Sequence, residues 1–266
     1  MTSKQEALRS DIAWSTADKI GVHGYDLTEE LMGKVNLGDM AFLEVSGRLP
    51  DGNESRMFNA ILVTLVEHGI VPSTLAARMT YAGAPEAMQA AVAAGLLGLG
   101  SVFVGSTEGS ARMLADAVSG MSPDEPLADV ARRVVAEHRA VKRIVPGLGH
   151  PIHKPIDPRT VRLFAIAKET GFSGRYVELM QQIAAEAQAA TGRTLPVNAT
   201  GAIGAICCEM GFAPKIASGL GIMARAVGLV GHVLEEARAP MAMEIWHRAE
   251  DESSEHSRGK LRSKRE

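Results

Sequence analysis

Apolar positions recur at helical spacing along most of the chain, and alternation with a period of two is nearly absent. Leu27, Leu31, Met32 and Val35 keep that spacing across residues 26–40, with Thr28, Glu29 and Glu30 as an N-terminal signal. Residues 42–46 run into a turn cluster, Gly47-Arg48-Leu49-Pro50-Asp51-Gly52. Across 59–67, Ile61, Leu62, Leu65 and Val66 share one face, and the pattern stops at His68-Gly69. Pro72-Ser73-Thr74 opens a helix that reaches about Tyr81, and Ala84-Pro85-Glu86 restarts another that continues through a glycine-rich apolar stretch. Further helices are predicted over 111–119, 127–141, 158–169, 176–191, 201–210 and 215–237, with 195–198 as an extended connector.

The pattern predicts an almost entirely α-helical protein whose Pro/Gly loops carry the polar chemistry. Residues 1–15 are polar and peripheral, and the charged, apolar-poor stretch 250–266 reads as a disordered tail. With 266 residues the chain can bury one large core or two modest domains. Aromatic residues are only 4%, so the core must come from Ala, Leu, Val, Ile, Met and Gly. At 46% hydrophobic and 22% charged the composition is that of a soluble globular protein. The net charge of -3 argues against a nucleic-acid partner held by bulk electrostatics.

Two segments raise the question of a membrane: 88–105, which carries no charge, and 216–234, which carries only Arg225. Glycines break the first, at Gly95, Gly98, Gly100 and Gly105, and both read better as buried core helices than as spans. No basic region followed by an apolar one opens the chain, so the expected location is cytoplasmic. Cys207 and Cys208 are adjacent, which makes a disulfide between them improbable and fits buried, reduced thiols.

The richest chemistry lies in Val145-Pro146-Gly147-Leu148-Gly149-His150 and the following Ile152-His153-Lys154-Pro155-Ile156-Asp157-Pro158-Arg159. Glycines let backbone amides approach a ligand. Lys154 and Arg159 offer charge-assisted bonds to phosphate or carboxylate, and His150 can move a proton near neutral pH. His150 and His153 could also bind a metal, but no Cys or carboxylate cluster completes a first shell, so no metal is expected. Gly95-Leu96-Leu97-Gly98-Leu99-Gly100 has the look of a dinucleotide loop, yet no strand precedes it. His68 is a capping or core histidine, or a ligand-binding one. Arg225, alone in an apolar helix, must meet an internal acid or a bound anion, and we favour the anion.

These points occur in an order that resembles the citrate synthase family. Val22-His23-Gly24-Tyr25-Asp26 is similar to its RGYD segment, and Gly47-Arg48-Leu49-Pro50 to its G-x-LP turn. Glu67-His68 with Arg78 downstream is similar to its D-H-E…R segment, the His150 loop to its PGxGH…K…DPR segment, and 221–232 to its arginine-bearing helix. The resemblance implies that His150 polarises or protonates a substrate oxygen. It also implies that His68, Arg159, Arg225 and Asn198 hold the substrate. Lys154 would sit near coenzyme A phosphates, with Pro146, Gly147, Leu148 and Gly149 at the adenine end. Two family groups are replaced. Val104 stands where the enolate-binding histidine is expected, and Thr200, the other catalytic candidate, where the carboxylate base is expected. No counterpart of the RPR arginine occurs in 239–243.

Without that base, removing a proton from a thioester methyl group is disfavoured, whereas cleaving a β-hydroxy acyl thioester begins at a hydroxyl, which His150 could deprotonate. The chain thus resembles short, citryl-CoA lyase-like members of the family. The implied function is cleavage of a 3-hydroxy-3-carboxy acyl-CoA to acetyl-CoA and a 2-oxo acid such as oxaloacetate. The alternatives are condensation of acetyl-CoA with a 2-oxo acid, and a non-catalytic binder of CoA thioesters or a dicarboxylate. The resemblance further implies a homodimer, and the reading of the two apolar segments as core helices leaves no membrane partner expected. It implies a large helical domain (1–109 and 199–249) interrupted by a smaller one (110–198) that carries the His150 loop.

Overall fold

The computed structural model describes residues 8–100 and 105–258. They form a mainly helical fold, as the periodicity predicts. The helices are α1 (Leu37–Ser46), α2 (Gly52–Val66), α3 (Pro72–Gly83), α4 (Met88–Leu97), α5 (Gly105–Ser119) and α6 (Leu127–Ala140). They continue with α7 (Pro158–Thr170), α8 (Arg175–Thr191), α9 (Ala199–Glu209), α10 (Pro214–Arg238) and α11 (Ala242–Ser254). Three short strands, β1 (Ala13–Ser15), β2 (Ile20–Val22) and β3 (Tyr25–Asp26), pair antiparallel in the order β1-β2-β3.

The chain groups into two compact units: the residues up to Thr64 with Ser106–Ala217, and Leu65–Gly105 with the residues from Ser218 onward. This division differs from the one expected, because 110–198 falls in one unit with the N-terminal residues rather than standing apart. In the first unit α9 lies at the centre, buried without interruption over residues 201–208. Its small residues let α7 and α8 pack directly on it. Phe42, Phe58 and Phe212 meet edge to face with ring centroids 5.2, 5.6 and 6.0 Å apart, so the few aromatics are concentrated in one cluster. Glu209, at the end of α9, accepts from the backbone N–H groups of Gly174, Tyr176 and Val177 at 2.7–3.1 Å and closes the start of α8. Cys207 and Cys208 are free, buried thiols. Burial pushes both up, Cys208 to about 12.

In the second unit, Ala77, Ala91, Leu229 and Val233 form the core, with Tyr81, Met88, Val92 and Leu96 packed around it. Helix α10 is long and apolar enough to cross a membrane by length and composition, but its Leu220, Ala224, Leu229 and Val233 are buried by protein. A polar knot sits beside this core. Arg78, 1% exposed, bonds Glu236 at 2.9 Å and also pairs with Glu235. Glu236 takes the Met241 and Ala242 N–H groups at 2.9 and 2.8 Å on its other oxygen, thereby capping α11.

Several elements depart from expectation. Residues 26–40 are not one helix: Leu27–Leu31 make a π-helical turn, Gly33 takes φ +74°, and α1 restarts after an Asn36 cap on the Asp39 N–H. The strands leave no period-two pattern because none exceeds three residues. Residues 250–257 are not disordered but continue α11 and a short 3-10 turn, where Arg258 pairs with Asp251 at 2.5 Å. The rest of the expected tail lies outside the described residues.

Candidate active site

The His150 loop is fastened to the connector that leads into α9. Gly149 N–H donates to Pro196 O at 2.8 Å, Asn198 N–H to Gly147 O at 3.0 Å, and Asn198 Nδ2 to Gly149 O at 2.7 Å. Gly147 is required here. Its φ is +84°, and a Cβ would lie 2.5 Å from Gly201 Cα. Three polar groups of the Gly147–Gly149 backbone are therefore engaged with the protein itself.

The far end of the loop is set by Asp157, which is fully buried. It caps α7 through the Arg159 N–H at 3.0 Å and accepts the Ala199 N–H at 3.1 Å. It also grips Arg159 in a fork, Nε to Oδ1 at 3.0 Å and Nη2 to Oδ2 at 2.8 Å. Burial works to raise the Asp157 carboxyl, but Arg159 and the two N–H groups outweigh it and hold it below its ordinary value. The guanidinium is thus pre-positioned, with Nη1 free of described partners. Lys154 is exposed, between the exposed Ile152 and Ile156.

Asn198 and Thr200 form a hydroxyl–amide chain at the start of α9. Thr200 Oγ1 donates to Asn198 Oδ1 at 2.7 Å, and Ser106 Oγ donates to Thr200 Oγ1 at 3.1 Å. Asn198 Oδ1 also caps the helix by accepting the Gly201 N–H at 3.0 Å. With its proton directed at Asn198, Thr200 gives a ligand no proton unless that bond opens.

His150 has a defined polarity. Its Nδ1 accepts the N–H groups of Ile152 at 3.1 Å and His153 at 3.0 Å. A neutral ring that accepts at Nδ1 carries its proton on Nε2, so it offers a donor there. Taking up a proton at Nε2 requires the opposite tautomer, at the cost of both backbone bonds. The His153 ring stacks 4.4 Å away, tilted by 30°.

Beside this loop the first unit has a groove of about 560 Å³ along α5 and α6 that reaches Pro146. Arg112, Arg133, Arg143 and His138 line it with Asp116 and Glu137. The sequence reading passed over these arginines, because no motif marks them and only the helix packing gathers them.

The other two candidates, His68 and Arg225, lie in the second unit. His68 is half-buried in the loop between α2 and α3. Arg225 is half-buried on α10 and makes no ion pair within 4 Å among the described residues. Its Nη2 donates to Leu65 O at 3.4 Å, and its Nε is buried with no partner. Burial lowers its affinity for a proton, opposed by the Glu67 charge. Val104, in the place expected for an enolate-binding histidine, lies outside the described residues. Met241 and Ala242, where an RPR arginine has no counterpart, instead donate their N–H groups to Glu236.

A family model described as citrate synthase, C-terminal domain, matches residues 17–247. The chain belongs to the citrate synthase family. It is 24% identical over 265 residues to a probable ATP-citrate synthase of Dictyostelium discoideum, covering 93% of this chain and 41% of that protein. It is 23% identical over 254 residues to ATP-citrate synthase subunit 1 of Sordaria macrospora, covering 88% and 36%. The chain therefore spans less than half the length of these curated relatives. Among solved structures, citryl-CoA lyase from Hydrogenobacter thermophilus is similar at TM-score 0.78 and 34% identity, over 87% of each chain. Citrate synthase from Thermotoga maritima shares the fold at TM-score 0.62 and 22% identity, over 76% of this chain and 54% of that one. The hydroxyl of Thr200, where the resemblance leads one to expect a carboxylate base, is bound into a side-chain network with Asn198 and Ser106.

Proposed function

We propose that this chain is a carbon–carbon lyase that cleaves citryl-CoA, or a close 3-hydroxy-3-carboxy acyl-CoA, to acetyl-CoA and a 2-oxo acid such as oxaloacetate. The bond between the thioester α-carbon and the carbinol carbon breaks. Its electron pair enters the thioester as an enolate, which takes a proton to become the acetyl methyl, while the hydroxyl loses its proton as the carbonyl forms. The observation that carries this reading is Thr200. A hydroxyl, or a water beside it, can quench an enolate but is far too weak a base to deprotonate a thioester methyl.

In this reading His150, in the tautomer bare at Nε2, takes the hydroxyl proton there and then holds the new carbonyl oxygen through Nε2–H, while Arg159 binds one substrate carboxylate through its unpaired edge. Asn198 keeps the loop and the Thr200 hydroxyl in register, and His68 and Arg225 serve the remaining carboxylates. Lys154 and the arginine-lined groove beside Pro146 suit coenzyme A phosphates, with Ile152 and Ile156 along the pantetheine arm. Ile222, Val227, Val230 and Leu234 remain exposed on α10 and suit a second copy of the chain, giving a homodimer.

One observation favours condensation as a second reading. The Nε2–H state of His150 is the one that donates to a 2-oxo acid carbonyl, whereas deprotonating a hydroxyl needs the other tautomer. Incubation with (3S)-citryl-CoA, beside a parallel incubation with acetyl-CoA and oxaloacetate, separates the two. Release of oxaloacetate and acetyl-CoA is expected in the first. Absence of both products sinks the lyase reading, and calorimetric binding of citrate and coenzyme A without turnover selects a non-catalytic binder. His150→Ala is expected to lower turnover by about 10²–10⁴-fold while most affinity remains.

A further inference from the structure

A second polar chain in the Leu65–Gly105 and Ser218–Glu266 unit has no role in the reaction as described so far. Arg78 directs Nε and Nη2 at Nδ1 of His232, at 3.3 and 3.0 Å. The far nitrogen of the same ring, Nε2, lies 3.0 Å from Glu67 Oε2. A guanidinium has donors only, so Nδ1 of His232 must be a bare acceptor and the ring proton must sit on Nε2. That N–H donates to Glu67. The two contacts together select a single tautomer for the His232 ring. The fork of Arg78 is itself fixed by Glu236 and Glu235, leaving the ring no freedom to turn.

Glu67 stands beside Arg225, the cation assigned above to a substrate carboxylate. Its chain segment is pressed onto α10 three residues further along. A Cβ at Gly228 would lie 2.2 Å from Val66 O and 2.5 Å from Glu67 Oε1. Yet Glu67 and Arg225 form no ion pair, and the Arg225 Nε is buried with no bond. An unpaired guanidinium next to a half-exposed carboxylate would ordinarily close on it. Something holds the two apart.

We propose that His232 is a positioning residue: the relay Arg78–His232–Glu67 restrains the Glu67 carboxylate and so keeps the Arg225 fork open for a carboxylate of the substrate. The proposal rests on the functional reading for the identity of that anion, but not for the relay. Without the His232 N–H, Glu67 swings to Arg225 and competes with the ligand. Affinity for the anion then falls, while the chemistry at the His150 loop is untouched.

The test is a double-mutant cycle of His232→Leu and Glu67→Gln, with His232→Gln as the conservative variant. Glutamine can accept from Arg78 through its carbonyl and donate to Glu67 through its amide. The readouts are the citrate Kd by calorimetry and KM against kcat with citryl-CoA. His232→Leu is expected to weaken citrate binding and raise KM about tenfold, equivalent to ~1.4 kcal/mol, with kcat little changed. His232→Gln should restore most of the affinity, and Glu67→Gln should abolish the effect of His232→Leu. Equal losses in both Glu67 backgrounds, or a fall in kcat at constant KM, would overturn the proposal. Should His232→Leu fail to fold, the His232→Gln and Glu67→Gln pair with ¹⁵N spectra of the ring decides. In the neutral ring Nδ1 must be pyridine-like and Nε2 pyrrole-like, and the reverse assignment ends the proposal. If the unmodified protein neither binds citrate nor cleaves citryl-CoA, the functional reading fails and the claim about Arg225 with it. The spectra still test the tautomer separately.

Discussion

Gly147→Ala probes how the His150 loop is built, and Gly171→Ala provides its matched control. Both glycines are left-handed, at φ +84° and +85°. A Cβ on either costs about 1–2 kcal/mol from the backbone alone. At Gly171, the end of α7, nothing lies within 4 Å of the added atom, so that cost is the whole effect. At Gly147 the atom would sit 2.5 Å from Gly201 Cα and 2.9 Å from Ser110 Oγ on α5, and the first is backbone of the buried α9, which cannot yield. Overpacking adds about 1–3 kcal/mol, for a total of about 2–5 kcal/mol. Urea unfolding followed by far-UV circular dichroism measures both variants through their midpoints at a common m-value. The Gly147 variant should be the less stable by at least about 1 kcal/mol, with turnover falling because the loop must rise off α9. Equal losses in the two variants would refute the close packing of loop on helix.

Two further outcomes follow from charges at helix ends. Asp157 is held below its ordinary value, so its contribution is fully present above the unfolded carboxylate pKa of about 4 and is lost as pH falls through the lower native value. Unfolding curves of the native protein and Asp157→Asn should therefore differ by a constant about 1–3 kcal/mol from pH 7 to pH 5 and converge in more acidic solution. A gap that widens on acidification would reverse the sign. Glu209→Ala leaves three N–H groups at the start of α8 without their acceptor and should cost about 1–2 kcal/mol, read by thermal unfolding, with Glu209→Gln recovering part of it.

Helices were legible where apolar spacing and end signals agreed. Pro72 and Pro158 mark the first residues of α3 and α7, and 176–191 misses α8 by one residue. Legibility failed where a cap interrupts a continuous apolar pattern, as Asn36 does inside 26–40. It failed again where charge was read as disorder: α11 pairs its charges along its own surface, and spacing rather than composition would have shown it. At the site, loop and cations were visible as a string of residues, but their internal partners were not. Asp157 and Arg159 are two residues apart, and only the turn into α7 makes them a fork. Arg78 lies more than 150 residues before His232 and Glu236, and each alone looks like a surface charge or a stray ring. The compact units were least legible, since the expected boundaries came from resemblance and no linker composition marks others.

Glu236 ties the last helix to the interior: one oxygen neutralises the guanidinium of Arg78 and the other receives the first amides of α11. A shortened form ending after α10 would strip two donors from that carboxylate and loosen the clamp on Arg78. Expression designs and C-terminal fusions should therefore begin beyond α11, since the segment that looks most dispensable on the surface is wired to a salt bridge sealed from water.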